Sequence, residues 1–165
     1  MSDQAYELVR AAQHGDTLAM NDLLDELVPY VGRICGPIAL ESGADAAQEA
    51  LIAVFRSLGS LREPRALYGW VRTIAVREAV RVAQREARAC PQDLTDLPAR
   101  GAQELATDIA DVLRRLSPEH RAVLVLRDIE GLDEKSAAAQ LGLPTGTVKS
   151  RLHRARNSFR RAWTS

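Results

Sequence analysis

The chain has 165 residues, of which 46% are apolar and only 4% aromatic, and its 22 cations balance its 22 acids. That length holds one compact domain or two small ones, and a core of Ala, Leu, Val and Ile favours packed helices over sheets. No signal-peptide pattern opens the chain and no apolar run is long enough to span a bilayer, so a cytoplasmic protein with no membrane partner is expected.

Taken in chain order, a first helix is predicted over Gln4–His14, stopped by Gly15, with Asp16 placed to cap the next. Met20, Leu23, Leu24, Leu27, Val28, Val31 and Ile34 then follow a helical stripe, and Pro29 inside it predicts a kink or a break. A third helix is expected from Ala44 to Leu58, burying Ala47, Leu51, Val54 and Phe55. The segment 59–65 reads as a loop, and a long helix follows from Ala66 to Arg88. Along it Arg77, Arg81, Arg85 and Arg88 recur at four, four and three residues and line one face. Such a stripe can track a phosphate backbone; the alternative is an exposed face paired with Glu78 and Glu86. Residues 89–106 carry two prolines, a glycine and little apolar periodicity, which marks a linker and a domain boundary.

Beyond the linker, Ile109, Val112, Leu113 and Leu116 repeat at helical spacing after Thr107. Ser117 and Pro118 supply a cap and a first-turn proline for a helix to Ile129, ending near Gly131. Asp133 can cap a short helix to Leu141, with Gly142 as its stop, and Pro144-Thr145 opens a last helix to Arg161. Charge is concentrated here. Residues 1–88 hold ten cations against twelve acids and residues 89–106 one against three, whereas residues 107–165 hold eleven against seven. From Thr145 to the end there are six cations and no acid.

Asp133–Leu141, the turn Gly142-Leu143-Pro144 and Thr145–Arg161 form a helix-turn-helix pattern. With Val148, Leu152, Ala155 and Phe159 turned to the core, Lys149, Ser150, His153, Arg154, Arg156 and Arg160 are left facing outward. Residues early in such a second helix enter the major groove, where Lys and Arg donate to guanine O6 and N7; later arginines suit phosphates. A solvated basic helix on an ordinary bundle is the alternative, and six cations without an acid after this turn argue against it.

The stretch from Leu113 to Ala162 resembles region four of the extracytoplasmic-function sigma factors. The resemblance is carried by Gly146-Thr147-Val148-Lys149-Ser150-Arg151-Leu152-His153-Arg154-Ala155-Arg156, together with Leu116-Ser117-Pro118 and Leu126-Arg127-Asp128. It implies that Thr147, Lys149, Ser150, Arg151, His153, Arg154 and Arg156 contact the −35 promoter element. One departure is the replacement of the family's glutamate pair and isoleucine by Lys135, Ser136 and Ala137. The N-terminal half is similar to region two in order and spacing: Gly15-Asp16, then Asp45-Ala46-Ala47-Gln48-Glu49, then Trp70-Val71-Arg72-Thr73-Ile74-Ala75. That resemblance implies docking of Asp45, Gln48, Glu49, Ile52 and Phe55 on the coiled coil of the polymerase β′ subunit. It also implies −10 recognition by Leu61, Arg62, Arg65, Trp70, Arg72, Arg77, Arg81 and Arg85. The loop 60–66 would hold the pocket for a flipped-out base, although it lacks an aromatic to stack on. Many members carry Asn at the position of Arg77 and Asp or Asn at that of Arg81, so arginine there favours phosphate contact or another base preference. Trp70 reads equally as a buried anchor or a base-stacking wedge.

The expected fold is therefore all-α: two small helical domains, 1–90 and 107–165, joined by a flexible linker over 91–106. Under about twenty residues long, that linker spans at most ~3.5 Å per residue. Expected partners are core RNA polymerase (β′ with region two, the β flap with region four) and promoter DNA, and the resemblance leaves room for an anti-sigma protein. His14, His120 and His153 are scattered, and no nucleophile–base pair, phosphate loop or carboxylate pair is evident. No metal, cofactor, small-molecule substrate or enzymatic activity is expected. Cys35 and Cys90 are isolated and read as inert reduced thiols. Two rival functions are a conventional helix-turn-helix regulator, which would require a dimer and a palindromic site, and a sigma-like adaptor that binds protein alone.

Overall fold

A computed structural model of the chain describes the backbone of residues 3–89 and 103–164, and the side chains of residues 4–89 and 108–164. Among the described residues there are eight α-helices and no strand. The N-terminal half contains α1 (Asp3–Gln13), α2 (Thr17–Ala39), α3 (Gly43–Ser57) and α4 (Leu67–Ala89). The C-terminal half contains α5 (Gln103–Arg114), α6 (Pro118–Leu124), a π-helical turn (Val125–Ile129), α7 (Glu134–Leu141) and α8 (Thr145–Trp163).

The ends of these helices follow from local chemistry. Asp16 accepts from the Leu18 and Ala19 amides, Ser117 from His120, and Asp133 from Ser136, so three of the orphan N-termini are capped by side chains. Gly142, at φ +63°, closes α7 in a Schellman arrangement: the Leu143 amide donates to the Ala138 carbonyl and the Gly142 amide to that of Ala139. This left-handed residue turns the chain sharply enough to start α8 three residues later.

Pro29 and Pro37 both lie inside α2 and neither ends it. Each removes a backbone donor, at a cost of about 3 kcal/mol in an isolated helix. The buried stripe Leu23, Leu27, Val31, Ile34 and Ile38 runs past Pro29 and across Pro37, and its burial against α3 and α4 outweighs that loss. Of the kink or break expected at Pro29, the break is thus corrected. α3 crosses α2 so closely that a Cβ on Gly43 would sit 3.0 Å from Gly36 Cα. α5 begins at Gln103, four residues before the expected start at Thr107 and inside the stretch read as linker. The remainder of that stretch, 90–102, lies outside the described residues.

The two halves share one apolar core. The buried cluster runs from Leu23, Ile34 and Val71 to Ala122, Leu126, Ala137 and Val148. α6 packs on α2 and α4, α7 on α4, and the π-turn on α2. Arg121, only 6% exposed, is built into this junction. Its Nε donates to the Ile38 carbonyl at the end of α2 (2.7 Å), and its Nη1 donates to the Leu113 and Leu116 carbonyls (3.2 and 2.9 Å). One guanidinium therefore joins carbonyls at the C-terminal ends of α2 and α5, which carry partial negative charge, although the Leu113 carbonyl also accepts from the Leu116 amide. Burial pulls its pKa below the ordinary arginine value, against the pull of Glu41, Glu119 and Glu86.

Candidate nucleic-acid and polymerase interfaces

α8 carries the first candidate surface. Val148, Leu152 and Ala155 are buried, which fixes the rotation of the helix. Lys149, Ser150, His153 and Arg154 are consequently exposed on the opposite face, and Thr147 and Arg151 flank it half-buried. Ser150 Oγ donates to the Thr147 carbonyl (3.0 Å) and accepts from Arg154 Nη2 (3.4 Å), so the first two turns present an ordered row of donors. His153 pairs with Asn157 at 2.9 Å. Arg156 departs from the expected face. It is held by Asp128 of the π-turn and, with Arg160, lines an apolar groove on another side of the unit. Arg156 stands three residues after His153 and two after Arg154, rotated from them by about −60° and about 200°, which sets it on the flank beside Leu152 and Phe159.

The groove has a volume of about 660 Å³ and is walled by Ile109, Leu113, Leu124, Ile129, Phe159 and Trp163. Ile109, Ile129 and Trp163 are 40%, 54% and 46% exposed, and Phe159 stacks on Trp163 with centroids 6.2 Å apart. Sequence reading missed this feature. Ile129 and Trp163 continue the apolar spacing of Ala122, Val125 and Leu126 and of Leu152 and Phe159, so nothing in the local pattern marked them as exposed.

α3 carries the second surface. Asp45, Gln48, Ile52 and Phe55 are exposed and Glu49 is half-buried, all at helical spacing on one side. Glu49 accepts from Arg81 across the α3–α4 contact (3.4 Å). Phe55, expected in the core, is 55% exposed; Ala46, Ala50 and Val54 supply the buried stripe instead. Large apolar side chains left in solvent beside acids are the pattern of a docking face.

The third set, on α4 and the turn before it, is more dispersed. Arg62 and Arg65 are exposed, whereas Leu61 is only 7% exposed and its carbonyl accepts from Gln13 Nε2 (2.7 Å). Leu61 is thus part of the fold and offers little to a ligand. Trp70 is half-buried against the core. Arg77 and Arg85 are exposed, while Arg81 is engaged by Glu78 (2.6 Å) and Glu49, which raise its pKa. Arg81, Gln84, Arg85 and Arg88 line a shallow hollow at the end of α4. Arg72 does not point to solvent with the others. It faces the C-terminal half, 3.5 Å from Glu130 and 3.5 Å from Gln140 Oε1.

Among the described residues no group of three metal-binding side chains converges, and no helix is long and apolar enough to cross a membrane. Cys35 is buried, donates weakly to the Ala75 carbonyl (3.6 Å), and burial pushes its thiol up to about 12.

Known proteins resemble this chain over most of its length. Residues 106–158 match the family described as Sigma-70, region 4. The RNA polymerase sigma-H factor of Pseudomonas aeruginosa is 30% identical over 186 residues, covering 97% of this chain and 94% of that one. The ECF RNA polymerase sigma-E factor of Escherichia coli is also 30% identical, covering 96% and 95%. The ECF sigma factor SigE of Mycolicibacterium smegmatis is 36% identical over 70% of this chain, which spans about half (49%) of that relative's length. The solved structure of sigma factor RpoE in complex with the anti-sigma factor NepR from Bartonella quintana superposes with a TM-score of 0.67 at 24% identity, covering 87% and 97%.

Proposed function

Given that this chain belongs to the extracytoplasmic-function sigma factors, which bind core RNA polymerase and direct promoter-specific initiation, we propose that its four surfaces divide that task. The face of α8 made by Lys149, Ser150, His153 and Arg154, with Thr147 and Arg151 at its edges, reads the −35 element in the major groove. The observation that carries this reading is the acid-free row of ordered donors on the outer side of a helix whose apolar side is locked in the core. Arg156 serves the groove and leaves DNA to its neighbours.

The α3 face of Asp45, Gln48, Glu49, Ile52 and Phe55 docks on the polymerase β′ coiled coil. The apolar groove lined by Ile129, Phe159 and Trp163 is suited to a helix of the β flap, since it pairs exposed apolar walls with a basic rim at Arg156 and Arg160. Arg62, Arg65, Arg77, Arg81 and Arg85 lie along the path of the −10 strand and Trp70 anchors that helix, with Arg72 joining once it is released. Domains 1–90 and 107–165 act as separate DNA-reading units, and the chain lends recognition to polymerase without catalysis of its own. An anti-sigma protein of the kind bound to the Bartonella quintana relative is a fitting regulator for such surfaces.

Run-off transcription with core polymerase on genomic promoter fragments tests the assignment of α8. Lys149→Ala with Arg154→Ala is expected to abolish specific transcripts and to leave binding to core polymerase intact. Unchanged transcription by that variant would overturn the assignment. Tight operator binding without polymerase, and no transcript with it, would favour a conventional helix-turn-helix regulator.

A further inference from the structure

We propose that Gln13, at the end of α1, is the positioning residue for the loop that reads the −10 element. This rests on the −10 reading given above and adds to it the group that holds the loop in place. The loop, residues 58–66, joins α3 to α4 through two 3-10 helical turns, Leu58–Ser60 and Pro64–Ala66, with Leu61 extended between them (φ −72°, ψ 104°). Leu58 and Leu61 are buried, whereas Arg62, Glu63 and Arg65 beyond them are exposed. Gln13 Nε2 donates to the Leu58 carbonyl (3.0 Å) and to the Leu61 carbonyl (2.7 Å). One amide therefore bridges the first turn and fixes the peptide that leads into Arg62. The other hydrogen bonds described for the loop are local. The Leu61 amide donates to the Leu58 carbonyl (3.1 Å), Ser60 Oγ to the Ser57 carbonyl (2.7 Å), and the Arg65 amide to the Glu63 carboxylate (3.1 Å).

The position of Gln13 is itself set by the core. It is the last residue of α1, whose Val9 and Ala12 are buried, and α1 packs on both turns of the loop. Past Gln13 the chain turns at Gly15 (φ +92°), where the Gly15 amide donates to the Ala12 carbonyl and the Asp16 amide to the Ala11 carbonyl, each at 3.1 Å. Asp16 then caps α2, so the end of α1 is tied to a core helix and Gln13 carries that fixity to the loop. Both acceptors are carbonyls, and the site therefore demands a donor. A carboxamide, ammonium or guanidinium N–H serves, whereas a carboxylate only accepts and repels both oxygens. Leu61 precedes Arg62 by one peptide, so a shift of its carbonyl carries Arg62 with it and, through Glu63, the turn that bears Arg65. Recognition groups must be held to about 0.5 Å, and an unstacked base has to be met by groups already in place. α1 thereby acquires a task in promoter reading, although none of the residues assigned to DNA or polymerase lies on it.

The experiment is run-off transcription by the full chain with core polymerase, at limiting protein, on a genomic promoter that the chain uses. Matched templates carry single-base substitutions in the −10 element or in the −35 element. The readout is the ratio of transcript from the native template to that from a substituted one. A loss of folded protein scales both transcripts alike and leaves the ratio unmoved. One wrong base pair costs a sequence reader roughly 5- to 150-fold, and Gln13→Glu is expected to bring the −10 ratio below about threefold while the −35 ratio stays at its wild-type value. Gln13→Met, of equal length and without a donor, should behave as Gln13→Glu does. Gln13→Lys restores donors and should recover the −10 ratio to within about twofold of wild type. Unchanged −10 ratios in the Glu and Met variants would overturn the role of Gln13, as would a Lys variant no better than Met or an equal fall in the −35 ratio. Arg62→Ala with Arg65→Ala separates the two layers. If it lowers the −10 ratio and the Gln13 variants do not, Gln13 alone loses its role; if none of them does, the reading of the loop falls with it.

Discussion

Phe55→Ala separates a docking role from a structural one, because the side chain is large and more than half of it lies in solvent. A phenylalanine offers about 200 Å² of apolar surface, and at 55% exposure about 110 Å² of it remains for a partner. At roughly 25 cal/mol per Å² the ceiling for burying that area is about 2.7 kcal/mol. Truncation to alanine keeps Cβ, so a loss of about 2 kcal/mol is expected, equivalent to a roughly thirtyfold weaker dissociation constant for core polymerase. The same substitution should change folding stability by less than ~0.5 kcal/mol, since the ring contributes little to the buried stripe Ala46, Ala50 and Val54. Fluorescence anisotropy of the labelled chain titrated with core polymerase gives the affinity, and urea unfolding of the chain alone gives the stability. Leu18→Ala is the control: Leu18 is 77% exposed on α2, outside the α3 face, and its loss should leave polymerase affinity unchanged. An affinity change below threefold for Phe55→Ala, or an equal loss for Leu18→Ala, would refute the assignment of this face.

Two further outcomes concern the fold. Gly43→Ala puts a Cβ at 3.0 Å from the Gly36 backbone, which forces α2 and α3 apart and should destabilise the chain by about 1–3 kcal/mol, seen as a lower urea midpoint with an unchanged slope. Cys35 should resist thiol reagents at neutral pH in a Cys90→Ser variant and react only on unfolding, because burial disfavours its thiolate; fast labelling of the native chain would contradict this.

Features that depend on neighbours a turn away were legible in the sequence. The caps Asp16, Ser117 and Asp133, the stop at Gly142 and the outward row of α8 all follow from spacing within single helices. Errors arose where long-range packing decides. Leu61 looked available because it stands in a loop, but Gln13, 48 residues away, fixes its carbonyl and its side chain is buried. Phe55 fits the α3 stripe by type, yet Ala50 and Val54 are what the close α2–α3 crossing at Gly43 accommodates. Arg156 belongs to a basic run whose charge is uniform along the sequence but not around the helix, and Asp128 claims it from the preceding turn.

The junction between the halves shows why such information is absent from local pattern. Glu130 follows Asp128 and Ile129 in a stretch that reads as a frayed helix end, with no cue that its carboxylate is buried. Its environment is set by Tyr30, Arg33 and Arg72, which lie 100, 97 and 58 positions away and which look like ordinary surface residues on their own helices. An acid can be 6% exposed only if cations and donors replace its water, and here all of them come from the other unit. Spacing within α2, α4 or the π-turn therefore gives no sign of the contact, which exists only once the helices have packed.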